Sequence, residues 1–144
     1  MIRANIYIKK YDWVVHCFIS VTHYANDEIL ANLRRIGCRG GVYADAKEKL
    51  NRGEINGGLT YTSYRTKQSV MVTSLAESAE EQFNTITHEV AHVCAHIAQE
   101  SDIPFESEEF AYLVGDFSMA LFPKVKDLLC ECCRNKKGYY GRLH

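Results

Sequence analysis

The sequence predicts an α+β fold in a single domain spanning residues 1–144. Three observations point there. The N-terminal residues alternate apolar and polar side chains as strands do, and a stretch after residue 78 repeats apolar residues at helical spacing. No internal repeat or linker-like stretch divides the chain. The 144 residues, 47% of them apolar and 24% charged, suffice for one buried core. Two prolines and nine glycines argue against a disordered or collagen-like chain. Apolar runs last only a few residues, so no membrane helix is expected. Lys9 and Lys10 fall where a secretory signal needs its apolar core. The expectation is a cytoplasmic protein whose six cysteines are reduced.

Residues 2–8 alternate as IRANIYI and predict a first strand, and the denser run 13–19 a second. Asn26 offers a helix cap before Ile29, Leu30, Leu33 and Ile36, and Gly37 stops that helix. Glycines 37, 40 and 41 predict a loop, followed by a short helix over 43–51. Asn56-Gly57-Gly58 signals a turn, and residues 59–64 and 69–73 read as a hairpin. Ser78 and Glu81 form a capping box that opens the longest helix, 79–100. A further helix is expected over about 107–121, ending at Pro123, and residues 124–133 suggest another. Three parts result: strands and helices over 1–67, the site-bearing middle over 68–123, and a C-terminal helix and tail over 124–144.

The net charge of −1 conceals a split. Residues 68–123 contain no lysine or arginine but ten of the 18 acids, while the remainder holds all 17 basic residues against the other eight. Cys17, Cys38 and Cys94 sit in apolar segments and read as small core residues. Cys130, Cys132 and Cys133 form a C-x-C-C run without a partner pair elsewhere, and read as free thiols, with redox or metal use as the alternative. The basic and aromatic residues of 134–142 read as a solvated terminus, so nucleic-acid binding is not expected.

Within the long helix stands His88-Glu89-Val90-Ala91-His92. Residues i and i+4 share a helix face, so two imidazoles can hold one Zn²⁺ while the intervening glutamate takes a proton from its water. Ile86, Val90, Val93 and Ile97 make a core-facing stripe, and the histidines lie about 200° around from Ile86. A catalytic zinc needs a third protein ligand. An HExxHxxGxxH motif would supply it, but positions 95 and 98 are both alanine. His96 continues the series, yet three successive turns of one straight helix cannot converge on one ion, so it reads as a packing or supporting residue. Glu108 on the next helix is the better candidate. Ala111, Gly115 and Ser118 follow it at +3, +7 and +10, a small-residue stripe suited to close helix approach. Glu109 sits 100° off that stripe, and both acids also suit a helix N-terminus.

HEVAH followed by ESEEFAYLVG resembles the zincin metallopeptidases of gluzincin type, over about residues 69–122. The closer similarity is to small single-domain gluzincin-like proteins of bacteria and their phages, whose downstream helix reads ExxAYL. The resemblance implies a zincin-like fold, a small mixed or antiparallel sheet packed on the HExxH helix and a following glutamate-bearing helix. It implies His88, His92 and Glu108 as zinc ligands and Glu89 as general base. The chain departs from larger gluzincins, whose motif resembles NExxSD, because Ala111 and Tyr112 replace the final pair. Asp116 is then the remaining candidate to support a ligand from behind. The resemblance further implies an edge strand that pairs with an extended substrate, which places Val70, Met71 and Val72 there. An internal hairpin strand is the alternative for those residues.

The expected activity is zinc-dependent hydrolysis of peptide bonds in a protein or peptide, by an endopeptidase rather than an exopeptidase. Glu89 accepts the water proton and returns it to the leaving amine. Oxyanion helpers are sought among Tyr61, Tyr64, Tyr112, Tyr139, Tyr140 and His144. The rival expectation is a catalytically inactive zinc-binding module that regulates or docks a partner.

Overall fold

The computed structural model describes residues 1–53 and 57–136. Strand β1 (Ile2–Ile8) turns back through Asp12 into β2 (Trp13–Val21), and the two pair antiparallel from Ile2↔Ile19 to Ile8↔Trp13. Helices α1 (Asn26–Arg35) and α2 (Gly40–Arg52) follow. The hairpin β3 (Gly58–Ser63) and β4 (Gln68–Ser74) then leads into α3 (Ala79–Glu100), α4 (Glu108–Val125) and the short α5 (Glu131–Lys136).

The sheet is mixed, with strand order β1-β2-β4-β3. β4 pairs antiparallel with β3 and parallel with β2, after a crossover through α1 and α2. This corrects one expectation. Val70, Met71 and Val72 lie in an inner strand and are fully buried; the edge strand on this side is β3. A continuous Val-Met-Val run is what a strand covered on both faces carries, whereas an edge strand tolerates the glycine and threonines of β3.

Alternation along the strands divides the apolar residues into two layers. Ala4, Ile6, Trp13, Val15, Cys17, Ile19 and Met71 face α3 and α4, meeting Ile86, Val90, Val93, Ile97, Leu113 and Phe117. Phe18, Val70 and Val72 face the other way, onto Ile29, Leu33, Ile36 and Leu50 of α1 and α2. The architecture is α+β, with helices on both faces of the sheet.

Several helix ends differ in detail from their sequence signals. Asn26 is the first residue of α1 rather than its cap; Ala25 holds that position, and the Asn26 amide donates to the Leu50 carbonyl at 2.8 Å, tying α1 to α2. Gly40 and Gly41 open α2 rather than preceding it. Ser78 caps α3 as expected, accepting from the Glu81 N–H at 3.1 Å, but the Glu81 carboxylate accepts from Glu77 N–H rather than from Ser78. Pro123 does not end α4, which continues to Val125. A proline in the last turn forgoes only the bond to the carbonyl four residues back, and the buried Leu121 and Val125 hold that turn. The turn residue Asn56 and the tail from 137, with Tyr139, Tyr140 and His144, lie outside the described residues.

Candidate active site

The apolar stripe on α3 does what its spacing predicts. Ile86, Val90, Val93 and Ile97 are buried in the core, which turns His88 and His92 outward onto an exposed face. Their Nε2 atoms lie 3.1 Å apart, one ring N–H donating to the other nitrogen. Two imidazole nitrogens at tetrahedral Zn–N distances stand about 3.3 Å apart. The pair therefore has the separation a shared metal ion requires.

Glu89 turns toward β3 and is only 4% exposed. Its Oε2 accepts a hydrogen bond from the Thr60 hydroxyl at 2.5 Å. Beside it the backbone of β3 comes unusually close. A Cβ built on Gly58 would stand 2.5 Å from Glu89 Oε1, 2.6 Å from Cγ and 2.7 Å from Cδ. Gly58 is therefore required by space, not by a left-handed backbone. Gly58, Thr60 and Thr62 occupy alternate positions of β3 and so share the face that meets α3. Nothing in the sequence alone names Glu89 as their neighbour, although the run of small and hydroxylated residues at every second position was visible. Gly58→Ala is expected to push the Glu89 side chain from its place, at a stability cost of about 1–3 kcal/mol. A urea midpoint equal to the parent's would show that the contact is not needed.

One helical turn past His92, His96 is half-buried, and its Nδ1 bonds the Thr62 hydroxyl at 2.8 Å. Thr62 bonds Ser69 Oγ at 2.7 Å, and Ser69 accepts from the indole N–H of fully buried Trp13 at 3.0 Å. His96 thus supports α3 against β3 and β4. Burial, reinforced by nearby His92, lowers its pKa below the ordinary imidazole value. A histidine with a depressed folded-state pKa binds fewer protons folded than unfolded, so its contribution is present above about pH 6.5 and is lost as pH falls through that depressed value. Metal-free protein should lose stability on acidification from pH 7 to 5, and His96→Asn should flatten that slope. Urea midpoints at the two pH values test this; equal slopes would remove His96 as a contributor.

The other sequence candidates fare differently. Glu109 is engaged elsewhere: the Tyr11 hydroxyl donates to it at 2.9 Å and Lys10 Nζ lies 3.3 Å away. Those two bonds, Tyr11's first, hold its carboxyl below the usual range. Glu108 is exposed in the first turn of α4. The stripe of Ala111, Gly115 and Ser118 is exposed too, and a Cβ on Gly115 would meet nothing within 4 Å. That corrects the expected close backbone approach, because α4 packs through Leu113, Phe117, Leu121 and Val125 instead. Among the described residues no three His, Cys, Asp or Glu side chains form a metal-ready group, so Glu108 is not gathered with the histidine pair. Tyr112 and Asp116 are exposed on α4. Tyr61 packs with the α1 and α2 layer, across the sheet from α3. Tyr64 is the tyrosine that reaches the histidine row, with its ring 5.9 Å from that of His96 and its hydroxyl donating to Gln99 Oε1 at 3.3 Å.

Between the start of β3 and α3 lies a cleft of about 80 Å³ lined by Gly57, Gly58, Asn84, Thr85, His88 and Glu89. At about 30 Å³ per liquid water, it admits two or three molecules. It sits between one metal-competent imidazole and the buried carboxylate. No helix among the described residues is long and apolar enough to cross a membrane. No family model, curated protein or solved structure matches the chain.

Proposed function

We propose that the protein is a zinc-dependent endopeptidase of zincin-like fold, acting on an extended segment of a protein or peptide. The observation that carries this reading is the paired Nε2 atoms of His88 and His92, 3.1 Å apart, with the buried carboxylate of Glu89 between them in sequence. The pair fits one zinc ion; Glu108, at the start of the following helix, is the third ligand in this reading, although the described side chains do not assemble that set. Zinc held by these residues would lower the pKa of a bound water toward neutrality and polarise a scissile carbonyl.

The chain's own residues do the rest. Glu89 accepts the proton of the attacking water and delivers it to the leaving amine, and Thr60 fixes the orientation of the carboxylate. Among the described residues no strand pairs with the outer edge of β3, which runs beside the cleft, and an extended substrate pairs with it as a further strand.

The small size of the cleft favours a second reading, a zinc-bound module that docks a partner without cleaving it. Metal analysis of the purified protein beside His88→Ala and Glu108→Ala tests the site common to both. One zinc per chain, lost in both variants, is the expected result. Absence of zinc from the zinc-loaded parent would overturn the metal site, and retention by Glu108→Ala would move the third ligand elsewhere.

A further inference from the structure

The outward side of α4 carries an apolar strip that the fold leaves uncovered. At about 100° per residue, Ala111, Tyr112, Gly115, Ser118, Met119 and Phe122 fall within about 60° of Gly115, opposite the buried Leu113 and Phe117. All six are exposed, and the three large ones heavily so: Tyr112 is 67%, Met119 70% and Phe122 56% exposed. Nothing among the described residues requires Gly115. Its backbone is not left-handed, and a Cβ there would meet nothing within 4 Å. Glycine in the middle of a helix costs stability, so its place here calls for a neighbour from outside the chain.

We propose that α4 pairs with α4 of a second copy, antiparallel about a two-fold axis at Gly115, to form a reversible homodimer. The pairing rests on α4 alone and stands whether or not the peptidase reading does.

Symmetry selects the occupant. In such a pair, positions equally far before and after Gly115 face each other across the axis. Tyr112, three before, faces Ser118 of the second copy, three after; Met119, four after, faces Ala111, four before. Each large side chain meets a small one, and Gly115 meets itself, where two backbones can approach closely. Phe122 faces the first turn of the other helix at Glu108 and closes each end of the strip.

Charge favours the same orientation. Between Glu108 and Lys126 the strip carries no charged residue. Glu106 stands in the turn before α4 and Lys126 directly after its last residue, both exposed, so antiparallel pairing sets each beside the other at both ends. The two helix dipoles then oppose. A parallel pair would instead set Tyr112 against Tyr112 and Glu106 against Glu106. One pair of 18-residue helices lies at the low end of specific interfaces, about 600 Å² on each copy, which fits a dissociation constant of about 10 µM.

Sedimentation equilibrium of the full-length protein between about 1 and 300 µM tests the dimer. The mass is expected to rise from that of one chain toward that of two, with a midpoint at about 10 µM. Met119→Glu should stay monomeric throughout, with a urea midpoint at the lowest concentration equal to the parent's, because that side chain is exposed in the single chain. Glu106→Lys and Lys126→Glu should each weaken the dimer about tenfold, through like charges at both ends. A one-to-one mixture of the two variants restores both ion pairs and should regain the parent's affinity, which damage to the fold would not allow. A parent that stays monomeric, whether or not it sediments with phosphatidylcholine vesicles, would overturn the proposal. A dimer that survives Met119→Glu, or a mixture no tighter than the single variants, would do the same.

Discussion

Glu89→Gln is expected to abolish hydrolysis while leaving zinc in place. Glutamine keeps the shape of the side chain, and its carbonyl can still accept the Thr60 hydroxyl that now bonds Oε2 at 2.5 Å. It cannot take up a proton near neutral pH. A positioned general base is worth about 10²–10⁴-fold in rate, so turnover should fall by that factor. Neither imidazole is touched, and the zinc content should match the parent. The variant buries an amide where a charge-assisted bond stood, so a small stability change in either direction is expected. The assay is the appearance of new α-amino groups from an unstructured peptide library incubated with zinc-loaded parent and variant. Equal cleavage by both would exclude Glu89 as the base. A parent that binds one zinc but cleaves nothing in the library would favour the docking module.

What was legible in the sequence followed from local physics. The capping Ser78 and the stripe through Ile97 located α3, and the opposed placement of His88 and His92 followed from 100° per residue. What stayed hidden depends on contacts between distant residues. The order of β3 and β4 in the sheet rests on a parallel pairing between Phe18 and Val72, and no local pattern specifies which hairpin strand turns inward. Gly58 is small because of Glu89, 31 positions later, and alone reads as one glycine of a turn. The α4 stripe misled for a related reason: small residues allow close approach but do not compel it, and the larger side chains on the other face won the packing. The acid-rich stretch 68–123 covers β4, α3 and all but the last two residues of α4 but not β3, so the cation-free segment and the candidate site overlap without coinciding.

Arg134→Ala is expected to be the most damaging single change to stability outside the apolar core. Its guanidinium is fully buried, with Nη2 bonded to Ala76 O at 2.6 Å and Nη1 to Leu128 O at 3.4 Å. Nε has no hydrogen-bond partner among the described residues and lies 3.8 Å from the Glu131 carboxylate. Two effects oppose each other. Removing the arginine relieves the burial of a charge, which can leave apolar replacements neutral or better. It also strands two backbone carbonyls and, in alanine, opens a cavity as long as the side chain. Each stranded carbonyl costs about 1–3 kcal/mol and a large-to-small change at a fully packed site about 2–5 kcal/mol. The losses outweigh the relief, and a net cost of about 3–5 kcal/mol follows, or a melting midpoint lower by about 10 °C or more. Arg134→Met separates the two contributions because it refills the volume without restoring the donors, so it should recover part of the loss. A loss below about 1 kcal/mol in Arg134→Ala would mean that α5 rests on α3 without holding it. Ala76 and Ala79 flank the Ser78 cap, and the histidines stand on the same helix. Damage at Arg134 should therefore loosen the first turn of α3 and weaken zinc binding less than His88→Ala does.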